Sequence, residues 1–209
     1  DTVRIMLDEV RSADVFYGTS AGAGVVRLLS RRLTACWPDL RGLNLLGLGY
    51  ATPFLTCWQD QTARTVVAHL EALPAGMSHR HQMDCVVSGG QFPFPDLSFD
   101  RILMVHALET AASGRDLLRS AWKALRDDGK LILIVPNRHG LWALSDTTPY
   151  GQGTPYSQRQ LRRLLQESMF HVEACETALY PPAFPLLRRP RLSAMIECSG
   201  AMMLPACGG

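Results

Sequence analysis

The sequence predicts an α/β protein, a doubly wound and mostly parallel sheet with helices on both faces. Three observations carry this reading. Strand-like and helix-like segments alternate along most of the chain. The apolar run over residues 43–48 passes through Gly47 and Gly49 towards Pro53, a strand that turns sharply into a helix. Residues 130–135, Lys-Leu-Ile-Leu-Ile-Val, are apolar on both faces beyond the lysine, as a central strand covered on both sides should be.

A length of 209 residues suits one domain with a sizeable core. We divide it into an N-terminal helical lid (1–40), a core (41–180) and a C-terminal extension (181–209). Lys plus Arg is 21 and Asp plus Glu is 19, so no global charge draws the chain to nucleic acid. The six cysteines form no C-x-x-C pair, which reads as reduced thiols in a cytoplasmic protein. No run reaches the ~18 apolar residues that a membrane span requires.

Residues 1–16 read as a short helix or strap, and 16–22 as a loop by composition. Val25, Val26, Leu28, Leu29 and Leu33 recur at helical spacing up to about Cys36. Pro38 and Gly42 end that helix before strand 1. Thr52 is a possible N-cap for a helix over 54–60. Residues 64–70 form strand 2, which breaks at Pro74-Ala75-Gly76. His79-Arg80-His81 has no further ligand at metal spacing nearby and reads as a surface loop, so no metal site is expected. Strand 3 (84–88) ends at Gly89-Gly90, and a proline-stiffened loop leads into strand 4 (101–105).

Ser113 and Asp116 resemble a helix cap. Leu117, Leu118, Ala121, Trp122 and Leu125 then form one face. Asp127-Asp128-Gly129 is a turn before strand 5. Residues 137–155 form a long loop of the kind that often serves as a lid. Its Asp146, Thr147, Thr148 and Tyr150 either line an acceptor pocket or satisfy their own turn. Ser157 and Gln160 make a capping box for a helix bearing Leu161, Leu164, Leu165 and Met169. Residues 171–180 read as strand 6, and 192–204 as a last helix. Residues 181–209 contain no convincing strand.

The glycine turn, then Phe92-Pro93-Phe94-Pro95-Asp96 with Ser98-Phe99-Asp100, then Asp127-Asp128-Gly129-Lys130 leading to Pro136-Asn137, resembles the class I S-adenosylmethionine-dependent methyltransferases. The small-molecule, type 11 subgroup is most similar, and the match runs over about 43–137. The resemblance implies a Rossmann-like fold, S-adenosylmethionine as cofactor and a small-molecule methyl acceptor. It places Gly47, Leu48, Gly49 and Ala51 at the turn beneath the amino-acid part of the cofactor, with Ala51 where the family has a third glycine. Gln91 and Phe92 fall where the family contacts adenine. His106 falls past strand 4, near the methionine moiety and the acceptor, and Phe16-Tyr17 in a lid over the cofactor. A Gly49→Val change is therefore expected to abolish binding by filling space the cofactor needs.

Three acidic positions of the family pattern differ. Leu45 stands where an acid precedes the first glycine. His69 stands where an acid holds both ribose hydroxyls, with Glu71 able to serve only if the register slips by two. Ser88 replaces an aspartate that meets the adenine amine. The family also inserts a final antiparallel strand beside strand 5, which is expected to be missing here.

His106 is the candidate base for the acceptor, with Glu109 as its partner. The alternative for His106 is a histidine that packs at the strand end, and for Glu109 a residue that begins a helix. Two other functions compete. A nicotinamide-dependent oxidoreductase needs Gly-x-Gly-x-x-Gly, but position 52 is Thr52. A methyltransferase-like binding module that has lost its cofactor fits the three missing acids.

Overall fold

Alternate residues of each strand face opposite sides of the sheet, and a different set of helices fills each side. The computed structural model describes residues 13, 15–70, 84–87, 91–135, 156–178 and 202–208. Its strands are β1 (Asn44–Gly49), β2 (Arg64–His69), β3 (Asp84–Val86), β4 (Phe99–Val105), β5 (Leu125–Ile134), β6 (His171–Ala178) and β7 (Met202–Gly208). Helices are α1 (Ser20–Cys36), α2 (Thr52–Leu55), α3 (Gly114–Ala124) and α4 (Gln158–Glu167). A short 3-10 turn, Thr56–Trp58, continues α2.

The sheet order is β3-β2-β1-β4-β5-β7-β6. Strands β1 to β5 pair in parallel, and β7 runs antiparallel between β5 and β6. One face carries Leu46, Leu48, Ile102, Met104, Leu131 and Leu133 against Leu117, Leu118 and Ala121 of α3 and Leu161 and Leu165 of α4. The other carries Leu45, Val67, Leu103, Val105, Ile132 and Ile134 against Val25, Leu29 and Leu33 of α1. Helix α1, placed by sequence in a lid, is thus a structural layer of the core. Its leucine stripe is what buries that face.

The caps follow their residues. Ser113 accepts from the Asp116 amide at the start of α3, and Ser157 with Gln160 forms the full capping box of α4. Thr52 does not cap α2. It is already helical, and Ala51 holds the cap position without a side-chain bond. Trp122, expected on the buried face of α3, is partly exposed, and Met169 lies beyond α4 and largely in solvent. The Asp127-Asp128-Gly129 turn sits inside β5. Phe99 pairs with Leu125 and Arg101 with Lys130, so Arg126 to Gly129 loop out of the ladder.

The final antiparallel strand, expected to be missing, is present. Met202–Gly208 pairs along β6 from Ala178 to His171 and along β5 at Lys130, Leu131 and Ile132. It overlaps the end of the expected last helix. Pro205 and the small residues Ala206, Cys207 and Gly208 argue against a strand from sequence. In the sheet, however, Pro205 lies just beyond the three residues that pair with β5, so that ladder loses no donor. The loop expected at 16–22 is also corrected: residues 15–17 form a helical turn and α1 begins at Ser20.

Candidate functional site

The sheet order reverses between β1 and β4, the place where open parallel sheets leave a crevice at their carboxyl ends. Gly49 ends β1 with φ +70°, and the Tyr50 amide donates to Val105 O at 2.8 Å. A Cβ on Gly49 would overlap Val105 O and lie 2.8 Å from Ala107 Cβ. The glycine is therefore required by the protein's own β1–β4 approach, and the reason expected for Gly49→Val needs correcting: the added side chain strikes β4 first. A Cβ on Gly47 would meet Leu55 Cδ1 at 2.7 Å and Ala51 Cβ at 2.9 Å, so that glycine lets α2 pack on the strand end.

His106 follows β4 in a left-handed conformation, φ +51°, with its amide bonded to Ile134 O at 3.2 Å. A non-glycine residue held there is backbone strain at a site-like position. Its ring is bound at both nitrogens. Nδ1 lies 2.8 Å from Glu109 Oε1, and Nε2 lies 2.8 Å from the Tyr17 hydroxyl. All three residues are buried. A carboxylate can only accept, which places a ring proton on Nδ1; in the neutral ring Nε2 then accepts from the Tyr17 O–H. The second carboxylate oxygen of Glu109, Oε2, is buried without a hydrogen-bond partner among the described residues. Burial, and then the negative charge of Glu109, push the Tyr156 hydroxyl above the ordinary tyrosine range.

Tyr17 is held by the start of α1. Thr19 Oγ1 accepts from the Gly22 amide at 3.0 Å and donates to Phe16 O at 2.6 Å. A Cβ on Gly22 would overlap Phe16 O and stand 2.5 Å from Tyr17 Cα, so only glycine lets this turn close onto the helix. The Tyr17 ring stacks on Tyr50 at 4.9 Å between centroids and meets Phe54 edge-on at 5.9 Å.

The structure thus brings Tyr17, Gly47, Gly49, His106 and Glu109 to one strand-end region. His69 joins them from β2. The register pairs Leu48 with Ala68, which sets His69 beside Gly49. That register needs no slip towards Glu71, which lies outside the described residues with Ser88, His79, His81 and the 137–155 loop. Leu48 and Ala51 have no accessible surface, so they shape the turn from within and do not face a ligand in this conformation. Leu45 is likewise fully buried against the α1 face. Gln91 is exposed, and Phe92 packs edge-on against Phe94 at 6.0 Å. Sequence reasoning gave no role to Tyr50, Gly22 or Tyr156. Gly22 carried a signal, because a glycine three residues after a capping threonine marks a close approach. Among the described residues no group of three His, Cys, Asp or Glu could hold a metal ion, and no helix is long and apolar enough to cross a membrane.

Residues 31–133, which contain the turn, His69 and His106, match the family model described as "Methyltransferase domain". Over that stretch the chain matches the methyltransferase family, and its fold is that of the class I S-adenosylmethionine-dependent methyltransferases. Its fold is similar to those of solved methyltransferases. One is a SAM-dependent methyltransferase from Thermotoga maritima, described as a possible histamine N-methyltransferase. It is 17% identical with a TM-score of 0.68, over 98% of each chain. Another is the 1,6-didemethyltoxoflavin-N1-methyltransferase of Burkholderia thailandensis with bound S-adenosylhomocysteine. It is 17% identical with a TM-score of 0.60, over 93% of this chain and 80% of that one. At these identities the likeness is one of fold. Among curated proteins, the uncharacterized protein YafS of Escherichia coli K12 is 26% identical over 141 residues, 67% of this chain. The match spans 55% of YafS, little more than half its length.

Proposed function

We propose that this chain transfers a methyl group from S-adenosylmethionine to a small molecule held at the carboxyl ends of β1 and β4. The observation that carries the reading is the meeting of Tyr17, His106 and Glu109 beside the glycine turn, where the sheet order reverses. The residues fit an adenosyl-amino-acid. The φ of Gly49 turns the chain away at the end of β1, and His69 stands beside that turn within the carboxyl-end row. When bound, the cofactor supplies a methyl already activated by its sulfonium centre, so the protein's tasks are alignment, exclusion of water and proton management.

Gly47 and Gly49 shape the turn under the amino-acid moiety. His69 offers one hydrogen bond to a ribose hydroxyl in place of the two a carboxylate accepts. Phe92 provides an apolar edge for the adenine. The Tyr17–Tyr50 stack covers the strand end against water, and His106 with Glu109 takes up the acceptor's proton. The acceptor in this reading is a small, moderately apolar molecule; that the similarly folded 1,6-didemethyltoxoflavin-N1-methyltransferase acts on a small molecule supports the small-molecule part of it.

The reading of a module without cofactor draws on Leu45, which presents no carboxylate, and on His69. Each charged hydrogen bond lost removes about 1.5–3 kcal/mol of binding. Titration calorimetry with S-adenosylhomocysteine separates the two. Binding tighter than about 100 μM supports the transferase, and no heat at millimolar ligand supports the module.

A further inference from the structure

Two features of the strand-end region restrict what it can methylate. The first is the lack of an open base around His106 among the described residues. Its ring is engaged at both nitrogens, Nδ1 by Glu109 and Nε2 by Tyr17, each at 2.8 Å. Glu109 Oε2 has no hydrogen-bond partner there, but it is buried, and the side chain is only 1% exposed. Tyr156 is half-buried, and its burial and the Glu109 charge push its hydroxyl above the ordinary range, so it stays protonated. An acceptor that must surrender a proton while its bond to the methyl forms meets no group there to take it.

The second feature is charge. Among the described residues Glu109 pairs with His106 alone, and that partner is charged only when protonated. Beside the neutral ring, the carboxylate's charge stands uncancelled in a buried place of low dielectric. It is felt beyond its own contact, because Tyr156 responds to it from the residue before the α4 cap. Tyr156 Oη and Leu108 Cδ1 each lie 3.0 Å from the point a Cβ on Gly114 would occupy, which sets the phenol over the segment between β4 and α3. Arg115, the basic residue at the start of α3, is tied to Glu167 instead.

From these two features we infer that the methyl acceptor is an uncharged nitrogen, an arylamine or a heterocyclic nitrogen with a free lone pair, and that Glu109 supplies the charge that selects it. The inference rests on the methyl-transfer reading above. The nitrogen lone pair forms the bond to the methyl carbon, the C–S bond breaks, and its electron pair stays on sulfur. The positive charge passes from the sulfonium to the nitrogen, and no proton moves during bond formation. An arylamine sheds its proton afterwards, when transfer to the His106–Glu109 pair no longer limits the bond. A heterocyclic nitrogen without a hydrogen keeps the charge. A protonated hydroxyl lacks a base at the moment it needs one. Carboxylates and thiolates need no base, but Glu109 repels their charge. Glu109 acts here through its field and touches no acceptor atom.

Two measurements on the full chain test this. Calorimetry compares S-adenosylmethionine, which carries the sulfonium charge, with S-adenosylhomocysteine, which lacks it. Glu109→Gln keeps the side chain's shape and removes its charge. It should weaken S-adenosylmethionine by about fivefold or more relative to S-adenosylhomocysteine, with Glu109→Asp restoring the parent ratio. A ratio unchanged by Glu109→Gln, while both ligands bind, overturns the role of the charge. Both ligands are read on the same variant, so a partly destabilised protein still reports the ratio. Failure of both to bind the parent chain removes the methyl-transfer reading instead. The second measurement supplies methyl-labelled S-adenosylmethionine with a panel of anilines and of pyridine- and imidazole-type heterocycles, and with matched phenols, benzoates and thiophenols. Label is expected on nitrogen, at least about tenfold faster than on oxygen or sulfur, a difference of about 1.4 kcal/mol. Label chiefly on oxygen or sulfur, or on no member of the panel while S-adenosylhomocysteine binds, overturns the acceptor class and leaves cofactor binding standing.

Discussion

Gly49 offers the sharpest perturbation of the site's frame. Replacing it with alanine adds a Cβ that overlaps Val105 O and stands 2.8 Å from Ala107 Cβ, at a backbone φ of +70°. The left-handed conformation with a side chain costs roughly 1–2 kcal/mol. Forcing a methyl into packed surroundings costs about 1–3 kcal/mol. If β1 and β4 part to relieve it, the Tyr50–Val105 hydrogen bond goes too, at about 0.5–1.5 kcal/mol. The sum is about 2.5–6.5 kcal/mol, a large share of the roughly 5–15 kcal/mol that holds a domain together. Gly42 is the internal control. It has φ +76°, but a Cβ added there would meet nothing within 4 Å among the described residues. Its alanine variant should therefore lose only the conformational cost of about 1–2 kcal/mol. Urea unfolding of both variants measures the difference. With a slope of about 2 kcal/mol per molar, the Gly49→Ala midpoint should fall by about 1.3–3.3 M. A Gly49→Ala protein no less stable than Gly42→Ala would refute the claim that β4 itself demands the glycine.

Other outcomes follow from the same contacts. His69→Asp restores a carboxylate that can accept two ribose hydroxyls, and should tighten S-adenosylhomocysteine binding by about tenfold to a hundredfold in calorimetry. Gly22→Ala should push the Phe16–Tyr17 turn off α1, and the loss of the Tyr17 bond should appear as a change in the His106 nitrogen-15 shifts while α1 helicity is kept. A chain ending before Met202 leaves the facing edges of β5 and β6 unpaired. It should aggregate or unfold cooperatively at lower urea, and a truncated protein as soluble and stable as the full chain would show that β7 is dispensable.

The parallel core was legible because its signals are local. Aliphatic runs at 44–49, 64–69 and 130–134 state strands, and Ser113 and Ser157 state helix starts through side chains that bond their own amides. What failed were signals that depend on a partner far along the chain. Met202–Gly208 reads as turn residues until β5 and β6 supply its two ladders. The left-handed φ of His106 has no sequence mark, since it is set by the amide's bond to Ile134 O. At the site, His106 and Glu109 were readable from their place after β4. The third member was placed in a lid, because a contact between residues 17 and 106 leaves no periodicity to find. The glycine turn was legible too, but its physical cause was not: the atoms that forbid a side chain at Gly49 belong to β4 and the segment after it.

The most direct measurement is an amide NMR titration of the full chain with S-adenosylhomocysteine, which locates the binding surface as well as detecting it. The account predicts saturable shifts clustered on Gly49, Tyr50, His69 and His106, with Asn44, Asp100 and Arg126 at the opposite strand ends unmoved. Shifts centred on those opposite ends, or none at millimolar ligand, would contradict it.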